Sequence, residues 1–150
     1  MKVYKNILSK KERLKLLKFV KTKLENLGPD FPGLQTRDQL HRKKELLPLI
    51  NEIGKINTLN KKYGIQKCWG NHTVGDYLCW HSHPNCDLSL VYYLQNKSEI
   101  GTVFKKDNFN VYVSKCPENS LLIFDSNQVH SVPYHLKEDR YSIAFDLIKI

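Results

Sequence analysis

Paired cysteines, arginine and long apolar runs are what this chain of 150 residues has least of. No segment approaches the roughly 20 consecutive apolar residues that a membrane-spanning helix needs, so no membrane association is expected. The first eight residues are basic, but Ser9-Lys10-Lys11-Glu12 interrupts them before a secretory core forms, and no targeting segment is expected either. Cys68, Cys79, Cys86 and Cys116 contain no CxxC pair and no framework spacing, which argues against a disulfide scaffold. They read as reduced thiols of a cytoplasmic protein. Internal repeats and low-complexity tracts are lacking as well. Arginine occurs 4 times against 20 lysines, and Arg140 is the one arginine of residues 65–150. A chain that elsewhere settles for lysine uses arginine where a planar, two-pronged donor matters.

The apolar and charged fractions, 41% and 26%, are those of an ordinary globular protein, and the length suits a single domain spanning residues 1–150. The net charge of +9 is unevenly placed. Residues 1–64 carry 16 Lys and Arg against 6 Asp and Glu, and residues 65–150 carry 8 against 9. A basic half of this kind suits a nucleic acid, an acidic protein or an anionic surface, and more readily a solvated lysine-rich helix face.

Residues 1–64 read as the helical part. Ser9-Lys10-Lys11-Glu12 is a capping box, Leu14, Leu17, Val20, Leu24 and Leu27 follow at helical spacing, and Gly28-Pro29 stops the run. A second helical stretch is predicted from about Leu40 to Leu59, with Pro48 starting a turn or bending it. From residue 65 the pattern changes to short strands, predicted at 65–73, 77–83, 87–95, 100–104, 109–114, 120–124, 128–133 and 140–148. Gly75, Gly101, Asp107-Asn108 and Glu118-Asn119 read as turns. Eight short strands after two helices predict an α+β, mainly β fold. Its core is a double-stranded β-helix, or jelly roll, spanning residues 65–150 with the helices buttressing one face.

Within that core stands His81-Ser82-His83-Pro84, with His130 far downstream and Arg140-Tyr141-Ser142 beyond it. Side chains two apart on a strand share a face, so His81 and His83 offer two imidazoles to one metal and His130 a third. Arg140 can grip a carboxylate beside that centre with two parallel hydrogen bonds. A lone histidine is usually unrelated to chemistry; this grouping is hard to dismiss.

These residues resemble the 2-oxoglutarate- and iron(II)-dependent dioxygenases, and within them the prolyl-hydroxylase-like branch. The family pattern is His-x-Asp, a second histidine some fifty residues on, and an arginine about ten later, often as Arg-x-Ser. The resemblance covers residues 67–148. It implies Fe(II) held by His81, His83 and His130, and 2-oxoglutarate whose far carboxylate pairs with Arg140, helped by Ser142 and Tyr93. Tyr93, in Leu88-Ser89-Leu90-Val91-Tyr92-Tyr93-Leu94, matches the family's supporting tyrosine, and Asn71 sits where the family has another polar residue near the cosubstrate. His81, His83, His130 and Arg140 are therefore the expected catalytic set. The implied activity is hydroxylation with release of succinate and CO2, ascorbate being an auxiliary reductant that the resemblance allows. One departure is plain: His83 replaces the usual carboxylate. Asp87, four residues on, is the alternative third ligand, though it reads better as a turn or supporting group.

The same departure brings in a second resemblance. Gly75, His81, His83 and Asp87 are similar to the first cupin motif, with His130 as its last ligand, which implies a metal enzyme or binding protein that does not use 2-oxoglutarate. Asp125 and Asn127 stand where the second cupin motif has proline and glycine, and Arg140-Tyr141-Ser142 has no cupin role. A jelly-roll binding module without catalysis leaves the histidines and Arg140 accidental. Substrates are expected among peptides, proteins and small molecules, a peptidyl or amino-acid-like group first. Nucleic acid stays open but less favoured, because no second arginine follows Arg140. Trp69, Tyr77 and Trp80 lie near the ligands and could line a pocket, or belong to the core.

Overall fold

The computed structural model describes residues 1–31, 33–59, 62–75, 78–132 and 139–150, with Leu78 described by its backbone alone. The chain opens with strand β1 (Lys2–Tyr4) and helix α1 (Lys10–Lys23), then β2 (Leu34–Gln35) and α2 (Leu47–Gly54). The remaining strands are β3 (Tyr63–Thr73), β4 (Leu78–His81), β5 (Leu88–Asn96), β6 (Ile100–Lys105), β7 (Val111–Lys115), β8 (Ser120–Asp125), β9 (His130–Val132) and β10 (Arg140–Lys149). They form two antiparallel sheets, a major one in the order β1-β8-β5-β10-β3-β2 and a minor one in the order β4-β9-β6-β7. This is the jelly roll expected from the strand pattern.

Alternation along the major-sheet strands divides the molecule. Tyr141, Ile143, Phe145 and Leu147 of β10 join Leu90, Tyr92 and Leu94 of β5 and Leu121 and Ile123 of β8 in one core. Leu16, Leu17 and Val20 of α1 and Leu49 and Ile53 of α2 close that core from outside. The opposite faces look toward the minor sheet, where Tyr93, Phe104, Cys116, Leu122 and Phe124 make a second, smaller cluster. The helices thus serve as a hydrophobic buttress, and the space between the sheets holds the smaller cluster with polar residues beside it.

The capping box forms as predicted: the Glu12 amide donates to Ser9 Oγ, and the Ser9 amide to the Glu12 carboxylate. Helix α1 ends at Lys23, before Leu24 and Leu27, and Gly28 takes a positive φ of 113°. Residues 1–64 are less helical than predicted, since β1 and β2 lie within them. Each is too short to show a period, and each forms only by pairing with a distant strand, β8 and β3 respectively. The predicted helix from Leu40 to Leu59 is two 3-10 turns, Leu40–Arg42 and Lys44–Leu46, followed by α2. Pro48 stands in the first turn of α2, where its missing N–H costs no helical bond.

Gly75 is a turn glycine at φ 62°, but Gly101 is not in a turn. It sits inside β6, where a Cβ would meet Ser114 Oγ and the Cys116 side chain inside 3.0 Å. Its role is close strand packing. The four cysteines are free, and among the described residues no helix is long and apolar enough to cross a membrane.

Candidate metal centre and anion pocket

His81 closes β4 and His130 opens β9, and the two are direct partners across that antiparallel pair. Their ring centroids are 4.3 Å apart. His83 follows two residues beyond β4, its amide donating to the Ser126 carbonyl at 2.8 Å, which holds the 81–87 segment against the end of β8. Its ring lies 5.2 Å from that of His81 and 5.1 Å from that of His130. One ligand atom from each of the three rings falls within 4.8 Å of the others, so the predicted histidines do converge.

Each ring is locked by a bond from its Nδ1. His81 Nδ1 lies 2.8 Å from the Cys79 carbonyl, and His130 Nδ1 2.8 Å from that of Gln128. His83 Nδ1 lies 2.8 Å from Asp146 Oδ1. A carbonyl or carboxylate there requires the proton on Nδ1, which leaves Nε2 as the nitrogen through which each ring could bind a metal. Burial, with a smaller contribution from the neighbouring imidazoles, lowers the His130 pKa to about 4, and burial likewise lowers that of His81. Both are therefore neutral at physiological pH, the form that binds a metal. Three imidazole nitrogens suit a first-row transition ion and fit poorly with calcium or magnesium, which take oxygen ligands.

Beside the histidines opens a cleft of about 750 Å³ between the two sheets. On β10 the residues of one parity, Arg140, Ser142, Ala144 and Asp146, line it, and Trp69, Asn71 and Thr73 line it from the neighbouring β3. Arg140, 4% exposed, has its guanidinium carbon 5.6 Å from the centroid of the Tyr93 ring. Its Nη1 reaches the Ile100 carbonyl at a long 3.4 Å, and its Nε is buried with no partner among the described residues. No carboxylate of those residues forms an ion pair with it. Desolvation lowers its pKa, as it must for a buried cation without a counter-charge. Such a group is costly unless an anion completes it.

Two of the remaining expected residues share its wall of the cleft. Ser142 and Asn71 are partners across β10 and β3, and both line the cleft. Tyr93 is fully buried below Arg140, its hydroxyl 3.0 Å from both Thr102 Oγ1 and the Thr102 amide, which donates to it. Burial pushes its pKa up to about 12, so the phenol stays neutral. Tyr93 supports the guanidinium more than it faces the cleft. Asp87 points elsewhere: its Oδ2 accepts the Lys149 amide at 2.7 Å and ties down the end of β10. Trp69 lines the cleft and lies 6.0 Å from the His83 ring, nearly parallel to it. Trp80 is 39% exposed and lies outside the cleft, and Tyr77 falls outside the described residues.

Asp146 was missed by sequence reasoning. Its signal was available, since it has the parity of Arg140 and Ser142 and interrupts an otherwise apolar strand.

No protein-family model and no curated protein sequence matches this chain. Solved structures do. A prolyl hydroxylase from Trichoplax adhaerens, in complex with a hypoxia inducible factor peptide fragment, superposes with a TM-score of 0.75 at 15% identity, covering 98% of this chain and 82% of its own. The viral collagen prolyl hydroxylase of Paramecium Bursaria Chlorella virus-1, in its 2-oxoglutarate complex, gives 0.73 at 12% identity over 99% and 95%. HygX from Streptomyces hygroscopicus, with nickel, 2-oxoglutarate and hygromycin B bound, gives 0.70 at 12% over 97% and 81%. The fold is that of the 2-oxoglutarate-dependent oxygenases. At such identities the likeness is one of fold, and the chemistry has to be argued from the site.

Proposed function

We propose that this protein is an Fe(II)- and 2-oxoglutarate-dependent dioxygenase that hydroxylates a peptidyl or amino-acid-like substrate. The observation that carries this reading is a cleft that holds both three imidazoles with ligand atoms within 4.8 Å of one another and a buried guanidinium that no carboxylate of the described residues pairs with. His81, His83 and His130 would hold the metal, leaving positions open for cosubstrate and dioxygen. Iron with 2-oxoglutarate and dioxygen supplies an oxidant able to hydroxylate a C–H bond, one oxygen atom going to the substrate and one to succinate as CO2 leaves.

The chain's own part is binding and exclusion. Arg140 offers Nε and an Nη to the far carboxylate of the cosubstrate, in a site dry enough to strengthen the pair. Ser142 and Asn71 add polar groups on the same wall. Phe124 and Phe104 pack against the His130 ring, at 4.9 and 6.2 Å between centroids, and keep water from that side. Trp69 and Phe31 line the same cleft as the histidines, apolar surface that suits an extended substrate. Two of the structures above are prolyl hydroxylases and one holds hygromycin B, which supports a peptide first and a small molecule second. The cupin alternative leaves Arg140 without a role and needs Asp87 as a ligand, whereas its carboxylate is bonded to Lys149.

The test is iron-dependent conversion of 2-oxoglutarate to succinate by the purified chain, with and without a library of peptides and free amino acids. Turnover that needs both iron and 2-oxoglutarate is expected, with stimulation by the true substrate. Metal binding without 2-oxoglutarate binding would refute the oxygenase reading and favour a cupin-like one.

A further inference from the structure

The three imidazoles are not held alike. His81 and His130 donate from Nδ1 to backbone carbonyls, which are neutral acceptors. His83 donates to a carboxylate, that of Asp146, at 2.8 Å. His83 is also the residue that stands where the related motif has a carboxylate ligand, so the ring with the different partner is the substituted one.

Asp146 is 7% exposed on β10. Its Oδ1 also accepts Ser89 Oγ at 3.3 Å, and among the described residues His83 is its one ion-pair partner. No lysine or arginine of those residues comes within ion-pair distance, although Lys67 is its direct partner on β3. A buried carboxylate without a permanent cation is expensive unless a positive centre lies close by. A metal on the far nitrogen of His83 would be that centre. The local backbone serves the placement: the register between β10 and β3 shifts between Asp146 and Leu147, and such bulges re-aim side chains.

We propose that Asp146 supplies, through the His83 ring, the negative charge that a carboxylate ligand would otherwise bring to the metal. The His83–Asp146 pair then replaces one carboxylate, with Asp146 a positioning residue. Its bond fixes the tautomer and aims Nε2, and its charge pushes electron density through the ring and raises the donor strength of that nitrogen. This inference rests on the proposed metal centre. It differs from a purely structural role in one respect. An asparagine could keep the hydrogen bond to Nδ1 and the packing, but it would lose the charge.

The experiment titrates the 150-residue chain with Co(II), by calorimetry and by the visible absorption of the bound ion. Asp146→Asn is expected to weaken Co(II) binding ten- to a hundredfold and to shift the absorption bands. The double variant His83→Asp/Asp146→Asn should recover most of the lost affinity, because the carboxylate returns as a direct ligand. In the zinc-loaded parent, the Nδ1 proton of His83 should resonate downfield of those of His81 and His130, as a bond to an anion requires. That measurement needs no variant and decides the matter if a variant does not fold. Asp146→Asn binding Co(II) with the parent's affinity and spectrum would overturn the proposal and leave the metal centre standing, as would three equivalent Nδ1 protons. A parent that binds no Co(II) overturns the metal centre and this inference with it.

Discussion

Arg140→Lys separates a clamp from a mere charge. Arg140 is buried at 4% exposure, donates weakly from Nη1 to Ile100 at 3.4 Å, and has Nε unpartnered among the described residues. A guanidinium so placed has two parallel donors to offer one carboxylate, and a lysine ammonium offers a single point. Losing one charge-assisted hydrogen bond costs about 1.5–3 kcal/mol, which is roughly ten- to a hundredfold in affinity for 2-oxoglutarate. A second effect acts the same way. Desolvation lowers the Arg140 pKa without discharging it, but a lysine in that position starts lower and loses its proton more readily. The variant should therefore bind 2-oxoglutarate less well still as pH rises from 7 to 9, while the parent changes little. Calorimetric titration of 2-oxoglutarate into nickel-loaded parent and variant measures both effects, and nickel affinity without cosubstrate should match between them. Equal 2-oxoglutarate affinity in the two proteins would refute the clamp, and with it the main argument for an oxygenase over a cupin.

Three other outcomes are expected. The metal-free protein should lose stability as pH falls below about 6.5. Unfolded histidine takes up protons there, whereas His130 resists until about 4 and His81 is shifted the same way by burial. Stability is thus fully present above the unfolded pKa and is lost on the way down. His130 alone accounts for about 3 kcal/mol between the two values. Thermal melts from pH 7.5 to 4.5 should show this, and His130→Gln should flatten the profile; an unchanged slope would contradict the assignment. Gly101→Ala should destabilise by roughly 1–3 kcal/mol in urea unfolding, because its Cβ would meet the side chains of Ser114 and Cys116, both buried, and force them to move. Asp87→Ala should leave Co(II) affinity unchanged while loosening the end of β10, visible as faster amide exchange at Lys149. A loss of Co(II) binding there would make Asp87 the third ligand in place of His83.

Much of this molecule could be read from residue order alone, and the reason is periodicity. The eight strands from residue 65 onward fall within a few residues of their predicted limits, because alternation and turn chemistry are local properties. The capping box before α1 is local too. His81, His83, His130 and Arg140 were legible because two stand one residue apart and all four belong to a recognisable spacing. What sequence could not determine depends on partners far away in the chain. Strands β1 and β2, three and two residues long, exist only through pairing with β8 and β3. The stretch from Leu40 to Leu59 has a helical stripe, but packing against the major sheet breaks it into two short turns and α2. Gly101 looks like a turn glycine until β7 and Cys116 are brought beside it. Asp146 reads as an odd carboxylate in an apolar strand, and only the folding of the 81–87 segment across the end of the sheet sets it against His83, 63 residues away in the chain. Local pattern picked out the candidate ligands, whereas the charge environment around them came from contacts between strands, which only the tertiary structure decides.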